Sequence, residues 1–378
     1  MARVLPWHSM DERKRLEELR GQLLDMDLEL LRTLERRARL TQDLARLRTG
    51  TSRYSPPADG THLQTLEKAV AAPLAASAVR PIFTAIDAAC RLYEVAPRVA
   101  FLGAEGGFAW MTARAQFGIG AELVRAETVA AAIEEVTRSR ADFAVVPYES
   151  LKDGPILPTI LAIAAADLKV VGERQVTQAL VLVNASGNPA DVEKIYVSAS
   201  DHLGSMSYIE ANHPRAPAVD VRSPLMAWEL ASENHGGAAI VPRGSVGPHD
   251  LRVARENIGD EGEARVRYAV LSRLPAPRSG ADATALIFSV HDHPGALHDI
   301  LQHFKEKSCN LRRIQSRPVA AEGWEYVFYV EVSGHTTDRG LVAALEGVKR
   351  EAKMLKIIGS FPLEFPDPPL PESDVRPR

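Results

Sequence analysis

The chain has 378 residues, of which 46% are hydrophobic and 25% are charged, and its formal net charge is -4. This length and composition predict two or three globular domains, and the charge gives no bulk attraction for nucleic acid or a membrane surface. No run of about 18 apolar residues occurs, so we expect no membrane span. Two cysteines, Cys90 and Cys309, predict no disulfide framework. With a start that lacks the apolar core of a signal peptide, they favour a cytoplasmic location.

The first predicted element is one long helix over residues 10–48. Its apolar residues recur at spacings of three and four, the period of an amphipathic helix. At about 1.5 Å per residue the helix is longer than a small domain is wide, so its stripe must pack on another helix or another chain. We therefore expect a homodimer or a higher homo-oligomer. The stripe consists of Leu16, Leu19, Leu23, Met26, Leu30, Leu34, Leu40, Leu44 and Leu47.

Turn-forming residues from Thr49 to Gly60 end this helix, and shorter helices are predicted over about 62–72 and 76–95. Short apolar runs then alternate with helical stretches, which predicts an α/β segment with a largely buried sheet. The predicted strands are Val99–Leu102, Phe143–Pro147, Lys169–Val171, Leu180–Val183 and Ile195–Ser198, and the helices cover 126–138, 155–166 and 224–235.

A linker composition over Leu274–Asp282 precedes a third segment that reads strand, helix, strand, strand, helix, strand. Its clearest strands are Ala285–Val290, Trp324–Val332 and Lys356–Phe361, and Pro294 is expected to start its first helix. The remainder, with six prolines and four acidic residues from Pro362 onward, is expected to be disordered. The predicted divisions are 10–96, 97–275, 283–362 and a tail over 363–378.

Arginines are concentrated in the second half of the long helix. Arg37 and Arg48 are eleven residues apart, so they point to one side of the helix. Two interpretations stay open on spacing alone. The arginines form a solvated face near the helix C-terminus, where the macrodipole favours cations, or they converge on a small polyanion.

The stretch LEELRGQLLDMDLELLRTLERRARLTQDLARLR (16–48) resembles the first helix of the all-helical chorismate mutases. The resemblance implies substrate contacts for Arg20, Arg37 and Arg48, and a domain-swapped dimer in which Arg20 reaches the partner's pocket. IFTAIDAACRLYE (82–94) looks like the third mutase helix, with Cys90 and Glu94 at pocket positions. The chain departs from the family at Thr61 and His62, where an Arg-Glu pair is usual.

The middle segment resembles prephenate dehydratase in three motifs: GAEGGFA (103–109), VPYESLKDG (146–154) and VRY (266–268). A fourth family motif, Ser-His-Pro-Gln, aligns with SASD (198–201). The resemblance implies two α/β lobes with a cleft between them, as in a small periplasmic binding protein. The cleft residues it implies are Glu149, Ser150, Gly154, Val266 and Arg267.

Several polar positions of this second family are altered. Dehydration of prephenate needs a donor for the departing hydroxyl, and the family relies on a threonine where this chain has Val266. Valine has the shape of threonine without its hydroxyl. Gly107, Ala109 and Leu151 also replace hydroxyl-bearing residues.

VHDHPGALHDIL (290–301) and QSRP (315–318) resemble the two signatures of the ACT domain. The family fold is an α+β, ferredoxin-like sandwich that pairs with a second copy and binds an amino acid at the interface. Backbone N–H groups at a helix start can hold a carboxylate, and the alternative is a dimerisation domain without a ligand. The implied ligand residues are Gly295, Ala296, Leu297, Gln315, Ser316 and Arg317.

Three unrelated resemblances in this order predict a multidomain enzyme of phenylalanine biosynthesis. It would convert chorismate to prephenate and then to phenylpyruvate, without a metal or a cofactor, under feedback by phenylalanine. Because polar positions are altered, two alternatives stay open. One is an impaired relative that senses an aromatic amino acid, and the other is a prephenate-converting enzyme of altered chemistry.

Overall fold

A computed structural model describes residues 10–47, 60–90, 96–118, 120–245, 247, 250–260, 262–319 and 325–363. Side-chain caps start several helices: Thr128 accepts a hydrogen bond from Ala131 N (3.1 Å), and Ser223 accepts one from Met226 N (3.2 Å). The helices are α1 (Met10–Leu47), α2 (Gly60–Ala69), α3 (Ala76–Cys90), α4 (Phe108–Phe117), α5 (Val129–Thr137), α6 (Leu157–Ala165), α7 (Ala199–Leu203), α8 (Met206–Asn212), α9 (Pro224–Glu233), α10 (Ala296–Glu306) and α11 (Arg339–Glu351).

Each predicted apolar run falls largely in a strand, several strands are longer than predicted, and seven further strands of the described residues had no predicted range. They are β1 (Arg98–Leu102), β2 (Glu122–Ala126), β3 (Phe143–Ser150), β4 (Gly154–Pro155), β5 (Lys169–Gln178), β6 (Leu180–Asn184), β7 (Lys194–Ser198), β8 (Ala218–Val221), β9 (Gly237–Pro242), β10 (Arg252–Arg255), β11 (Ala264–Ser272), β12 (Asp282–Ser289), β13 (Leu311–Val319), β14 (Glu325–Ser333) and β15 (Met354–Pro362).

The middle segment forms two sheets. The first has the order β2-β1-β3-β11-β5 with β4 attached to β3, and the second has the order β10-β6-β9-β7-β8. The chain passes between the two sheets twice, once from β5 to β6 and once from β10 to β11. These two connections lie side by side, and the Ile258 N–H donates to Leu180 O (2.9 Å) between them. The predicted two α/β lobes are therefore present. In the second lobe β7, β8 and β9 run parallel, so the loops after them meet at one edge.

The third sheet has the order β13-β14-β12-β15, and with α10 and α11 it completes the predicted strand, helix, strand, strand, helix, strand order. It packs directly on the first sheet of the middle segment. One apolar cluster contains Tyr148 and Val170 from the first sheet together with Ile287 and Phe361 from the third. At the closest approach a side chain on Gly359 would overlap the Val170 backbone, so only glycine fits there.

The N-terminal helices agree with the prediction as far as they are described. The long helix α1 runs without a break from Met10 to Leu47, and α3 packs against both α1 and α2. The predicted turn over 49–59 and the predicted helical residues 91–95 lie outside the described residues. Among the residues that the structure describes, no helix is long and apolar enough to cross a membrane.

One predicted helix start is wrong. Pro294 does not start a helix: Gly295 follows it as the N-cap with a φ of +89°, a left-handed conformation, and α10 begins at Ala296. The predicted linker connects β11 to β12 without regular secondary structure, and it is anchored, because Ala276 is buried and its carbonyl accepts a hydrogen bond from His335 Nε2 (3.2 Å). Leu363, assigned to the tail, donates from its N–H to Ala281 O (2.9 Å), and residues 364–378 lie outside the described residues.

Candidate functional site

The glycine-rich loop after β1 lies at the junction of the two lobes. Ser245, after β9, donates from Oγ to Gly106 O (2.8 Å). Gly106 has a φ of +82°, and a side chain there would meet Leu225 at the start of α9. Phe108, two residues after Gly106, packs on apolar clusters of both lobes. The motif 103–109 therefore lines the cleft edge where the first lobe meets the second.

Val266 lies on the same face of the first sheet as this loop. Its side chain is 8% exposed and belongs to one apolar cluster with Ala109 and Phe101. Its backbone pairs with Ser150 on β3 and with Val176 on β5. The structure thus brings together two positions that carry hydroxyls in the family pattern, and both are apolar in this chain.

The turn between β3 and β4 is held by Ser150. Its Oγ accepts hydrogen bonds from the N–H groups of Lys152 and Asp153 (both 3.3 Å) and donates to Asp153 Oδ2 (3.2 Å). Leu151 points outward and is 61% exposed. Gly154 ends the turn with a φ of +78° and pairs with Ser150. The Ser150 hydroxyl therefore shapes the turn and is already engaged with Asp153.

Arg267 points to the opposite face, away from Val266, because successive residues of a strand alternate. There its guanidinium contacts Glu149 and Glu173, and its Nη1 donates to Glu331 Oε1 (2.7 Å). The register of β3 and β11 shifts between Arg267 and Tyr268, a β-bulge that lets Glu149 as well as Tyr148 reach Arg267.

The third sheet completes this cluster. Arg313 of β13 contacts Glu149 and places its Nε 3.3 Å from Glu331 Oε2. Two buried tyrosines add donors: Tyr148 Oη donates to Glu173 Oε2 (2.7 Å), and Tyr329 Oη donates to Glu331 Oε1 (2.6 Å). We call Glu149, Glu173, Arg267, Arg313 and Glu331 the interface ion cluster.

The interface ion cluster holds three carboxylates against two guanidiniums. Burial raises the pKa of Glu173, and the positive charge of Arg267 only partly opposes this. Burial by itself lowers the pKa of Arg267, but its acidic neighbours outweigh burial and raise it, so Arg267 stays charged. Arg267 is therefore a permanent positive charge inside the contact between the two sheets.

The segment SASD runs from the last residue of β7 into α7, at the edge of the second lobe that faces the cleft. Ser198 caps α7 and donates from Oγ to Asp201 Oδ2 (2.7 Å). Burial raises the pKa of Asp201 to about 6, and the Ser198 hydrogen bond partly offsets this. Next to it, His202 Nδ1 lies 2.8 Å from Asp220 Oδ1.

The predicted mutase residues are partly described. Arg20 is exposed on α1, and Arg37 is partly buried. Cys90 lies against α1, with its Sγ 4.0 Å from Leu34 O, one turn before Arg37. Thr61 and His62 lie in the first turn of α2. Arg48 and Glu94 lie outside the described residues.

The two ACT signatures lie on separate elements. Gly295 caps α10, Ala296 is buried and Leu297 packs on the core between sheet and helices. Gln315 is partly buried on β13, whereas Ser316 and Arg317 are exposed. Strand β14 lies between β12 and β13, with Phe288 and Ser316 both level with Phe328. A ligand touching both signatures of one chain would have to span the width of β14.

Sequence reasoning missed Glu173, Arg313 and Glu331. The sequence could have indicated a special role for Glu331, because it is the single charged residue in the apolar run Val327–Val332. Arg313 lies two residues before Gln315, so strand alternation puts both on one face. Glu173 carried no comparable signal, since the predicted strand ended at Val171.

The chain is similar to known proteins over nearly its whole length. The prephenate dehydratase family matches residues 99–276, and the ACT domain family matches residues 284–350. A bifunctional chorismate mutase/prephenate dehydratase of Aquifex aeolicus is 29% identical over 353 residues, covering 92% of this chain and 98% of the relative.

Two shorter relatives match the part after the N-terminal helices. A prephenate dehydratase of Mycolicibacterium smegmatis is 30% identical over 282 residues, covering 71% of this chain and 91% of the relative. The crystal structure of a prephenate dehydratase from Arthrobacter aurescens in complex with L-Phe is 29% identical and superposes with a TM-score of 0.54, covering 70% of this chain and 90% of that chain. Over nearly its whole length the chain is similar to bifunctional chorismate mutase/prephenate dehydratases, and it belongs to the prephenate dehydratase family and carries an ACT domain.

Proposed function

We propose that the chain converts chorismate to prephenate and prephenate to phenylpyruvate, and that phenylalanine binds its ACT domain as a feedback effector. The observation that carries this proposal is the cleft edge, where Ala109, Ser150 and Val266 come together beside the second lobe. The order of the three segments, at 10–96, 97–275 and 283–362, supports it. We place the activity in the cytoplasm, because Cys90 and Cys309 are both free thiols.

The first reaction is a pericyclic rearrangement, so the protein needs to hold the substrate compact and stabilise charge on its ether oxygen. We assign the substrate carboxylates and this oxygen to Arg20, Arg37, Arg48 and Glu94, by their resemblance to mutase positions. The contact of Cys90 with Leu34 supports a pocket beside Arg37 on α1, since it packs the end of α3 against this part of the helix.

The second reaction removes carbon dioxide and the ring hydroxyl together, and hydroxide leaves only with help from a proton donor. Val266 has no hydroxyl, and the Ser150 hydroxyl already donates to Asp153. We therefore expect dehydration to be slow in this chain. Glu149, Gly154 and Arg267 match the family pattern, but their contacts lie with the third sheet.

Supplying purified protein with chorismate and then with prephenate, and identifying each product by chromatography, tests the proposal. We expect prephenate from the first substrate and phenylpyruvate from the second. A product that has lost carbon dioxide but kept the ring hydroxyl would replace the proposal by an altered decarboxylation. No product from either substrate, with phenylalanine still bound, would replace it by a sensor of aromatic amino acids.

Val266→Thr is expected to raise the rate of phenylpyruvate formation by about 10- to 100-fold. A positioned proton donor contributes about 100- to 10,000-fold, and the new hydroxyl recovers part of this range. Val176→Thr is the matched control, because Val176 is the register partner of Val266 on β5. An unmodified protein that already turns over prephenate at about 10 per second, an ordinary enzymatic rate, would show that the reaction does not need a hydroxyl at position 266.

Phenylalanine binding is supported by the left-handed Gly295 at the start of α10, where backbone N–H groups can approach a carboxylate. Phenylalanine should raise the melting temperature, because a ligand at 100 times its dissociation constant stabilises the folded state by about 2.7 kcal/mol. Gly295→Val should remove this rise. Gly280→Val is the control, since Gly280 also has a positive φ (+96°) but has no atom near its Cβ position. An unchanged rise in Gly295→Val would move the ligand elsewhere.

A homodimer is supported by the long stripe of α1, where Leu23 is 61% exposed and Leu30 is 54% exposed. A charge in that stripe opposes its burial, so Leu23→Glu should shift the full chain toward monomer in analytical ultracentrifugation. Gln22→Glu adds the same charge beside the stripe and should leave the dimer intact. A wild-type chain that sediments as a monomer contradicts the proposed dimer.

A further inference from the structure

Strand β13 presents alternate side chains to a single turn of the dehydratase segment. Arg313, Gln315 and Arg317 share one face, as alternation along a strand requires. All three contact residues between Glu149 and Gly154, the stretch that links β3 to β4. This one-sided set of contacts connects the strand that bears the second ACT signature to the edge of the cleft.

The three contacts differ in chemistry. Arg313 pairs with the Glu149 carboxylate, and Arg317 Nη2 donates to the Asp153 carbonyl (2.6 Å). Gln315 lies against Gly154 so closely that any side chain at Gly154 would overlap its amide. An ion pair, a hydrogen bond and a steric contact therefore fix successive points of the same turn.

The turn they fix carries Ser150, and Val266 on β11 is the register partner of Ser150, so both residues face the substrate in the proposed dehydration. Glu149 directly precedes Ser150, and Arg267 directly follows Val266, which pairs with Ser150 in register. Glu331, from β14, closes the arrangement by contacting both Arg267 and Arg313. A shift of β13 would therefore displace Glu149, which is next to Ser150, and Arg267, which is next to Val266.

We propose that Arg313 and Glu331 of the ACT domain are positioning residues of the dehydratase site, which hold Ser150 and Val266 in place through Glu149 and Arg267. The proposal rests on the proposed function for its kinetic consequence, but the positioning itself does not. It assigns a structural part of the active site to a domain that binds no substrate.

The direct test is hydrogen exchange of the turn, measured by mass spectrometry in the full chain. The amides of Leu151, Lys152, Asp153 and Ile156 are hydrogen-bonded, to Arg265 O, Ser150 Oγ and Tyr148 O, and exchange slowly while the turn is held. Arg313→Gln should accelerate their exchange. Arg312→Gln, at an exposed arginine one residue away, is the matched control and should leave exchange unchanged.

The kinetic test separates positioning from folding. Arg313→Gln should lower kcat for prephenate by about 10- to 100-fold, since a displacement of about 1 Å can cost about 100-fold, while KM changes less. Arg313→Lys should recover part of kcat, because lysine keeps the charge but cannot bridge Glu149 and Glu331 with a planar fork. A melting temperature recorded for each variant shows that it is folded.

Equal exchange and equal kcat in Arg313→Gln and Arg312→Gln would overturn the positioning role. Faster exchange with an unchanged kcat would also overturn it, because the turn would then move without consequence for the reaction. If the wild-type chain does not turn over prephenate, the proposed function fails instead, and the exchange of the turn alone decides whether Arg313 holds it.

Discussion

The buried charge of Arg267 constrains how the two sheets can meet. Its guanidinium is matched by Glu149 from β3, Glu173 from β5 and Glu331 from β14, so the third sheet supplies one of three required partners. Removing one partner of a buried ion pair costs about 3–5 kcal/mol. This cost favours the docking of the ACT sheet that brings Glu331 to Arg267.

The packing around the cluster fits this requirement. Gly359 lets β15 come against the Val170 backbone, and Lys356 donates from Nζ to Ala164 O (2.9 Å) at the end of α6. His335 holds the connection between the segments at Ala276. The ACT domain is thus built into the core of the first lobe, and strain or movement in β13 must reach the β3–β4 turn through direct contacts.

Local patterns predicted the elements, because helical and strand periods and turn residues lie within a few positions of one another. The site was harder to predict, since Val266 and Arg267 were assigned to one cleft although neighbours on a strand face opposite ways. Glu149 departs from simple alternation because a bulge turns it toward Arg267. Neither the bulge nor the pairing with Glu331 is local in sequence, so no window of residues contains the information. Similarly, Pro294 predicted the helix start, but the left-handed Gly295 delays it by two residues.

In this chain, the motif positions that match the family pattern and those that depart from it have different physical roles. Glu149, Gly154 and Arg267 match the family pattern, and each makes a contact that the docking of β13 and β14 requires. Ala109 and Val266 depart from it, and both lie on the other face of the sheet, where a substrate would need a donor. A chain can keep the first set for the sake of its fold while the second set changes. The presence of Glu149 and Arg267 in this protein is therefore explained by their contacts with the ACT domain. The dehydration chemistry depends instead on the residues that face the cleft.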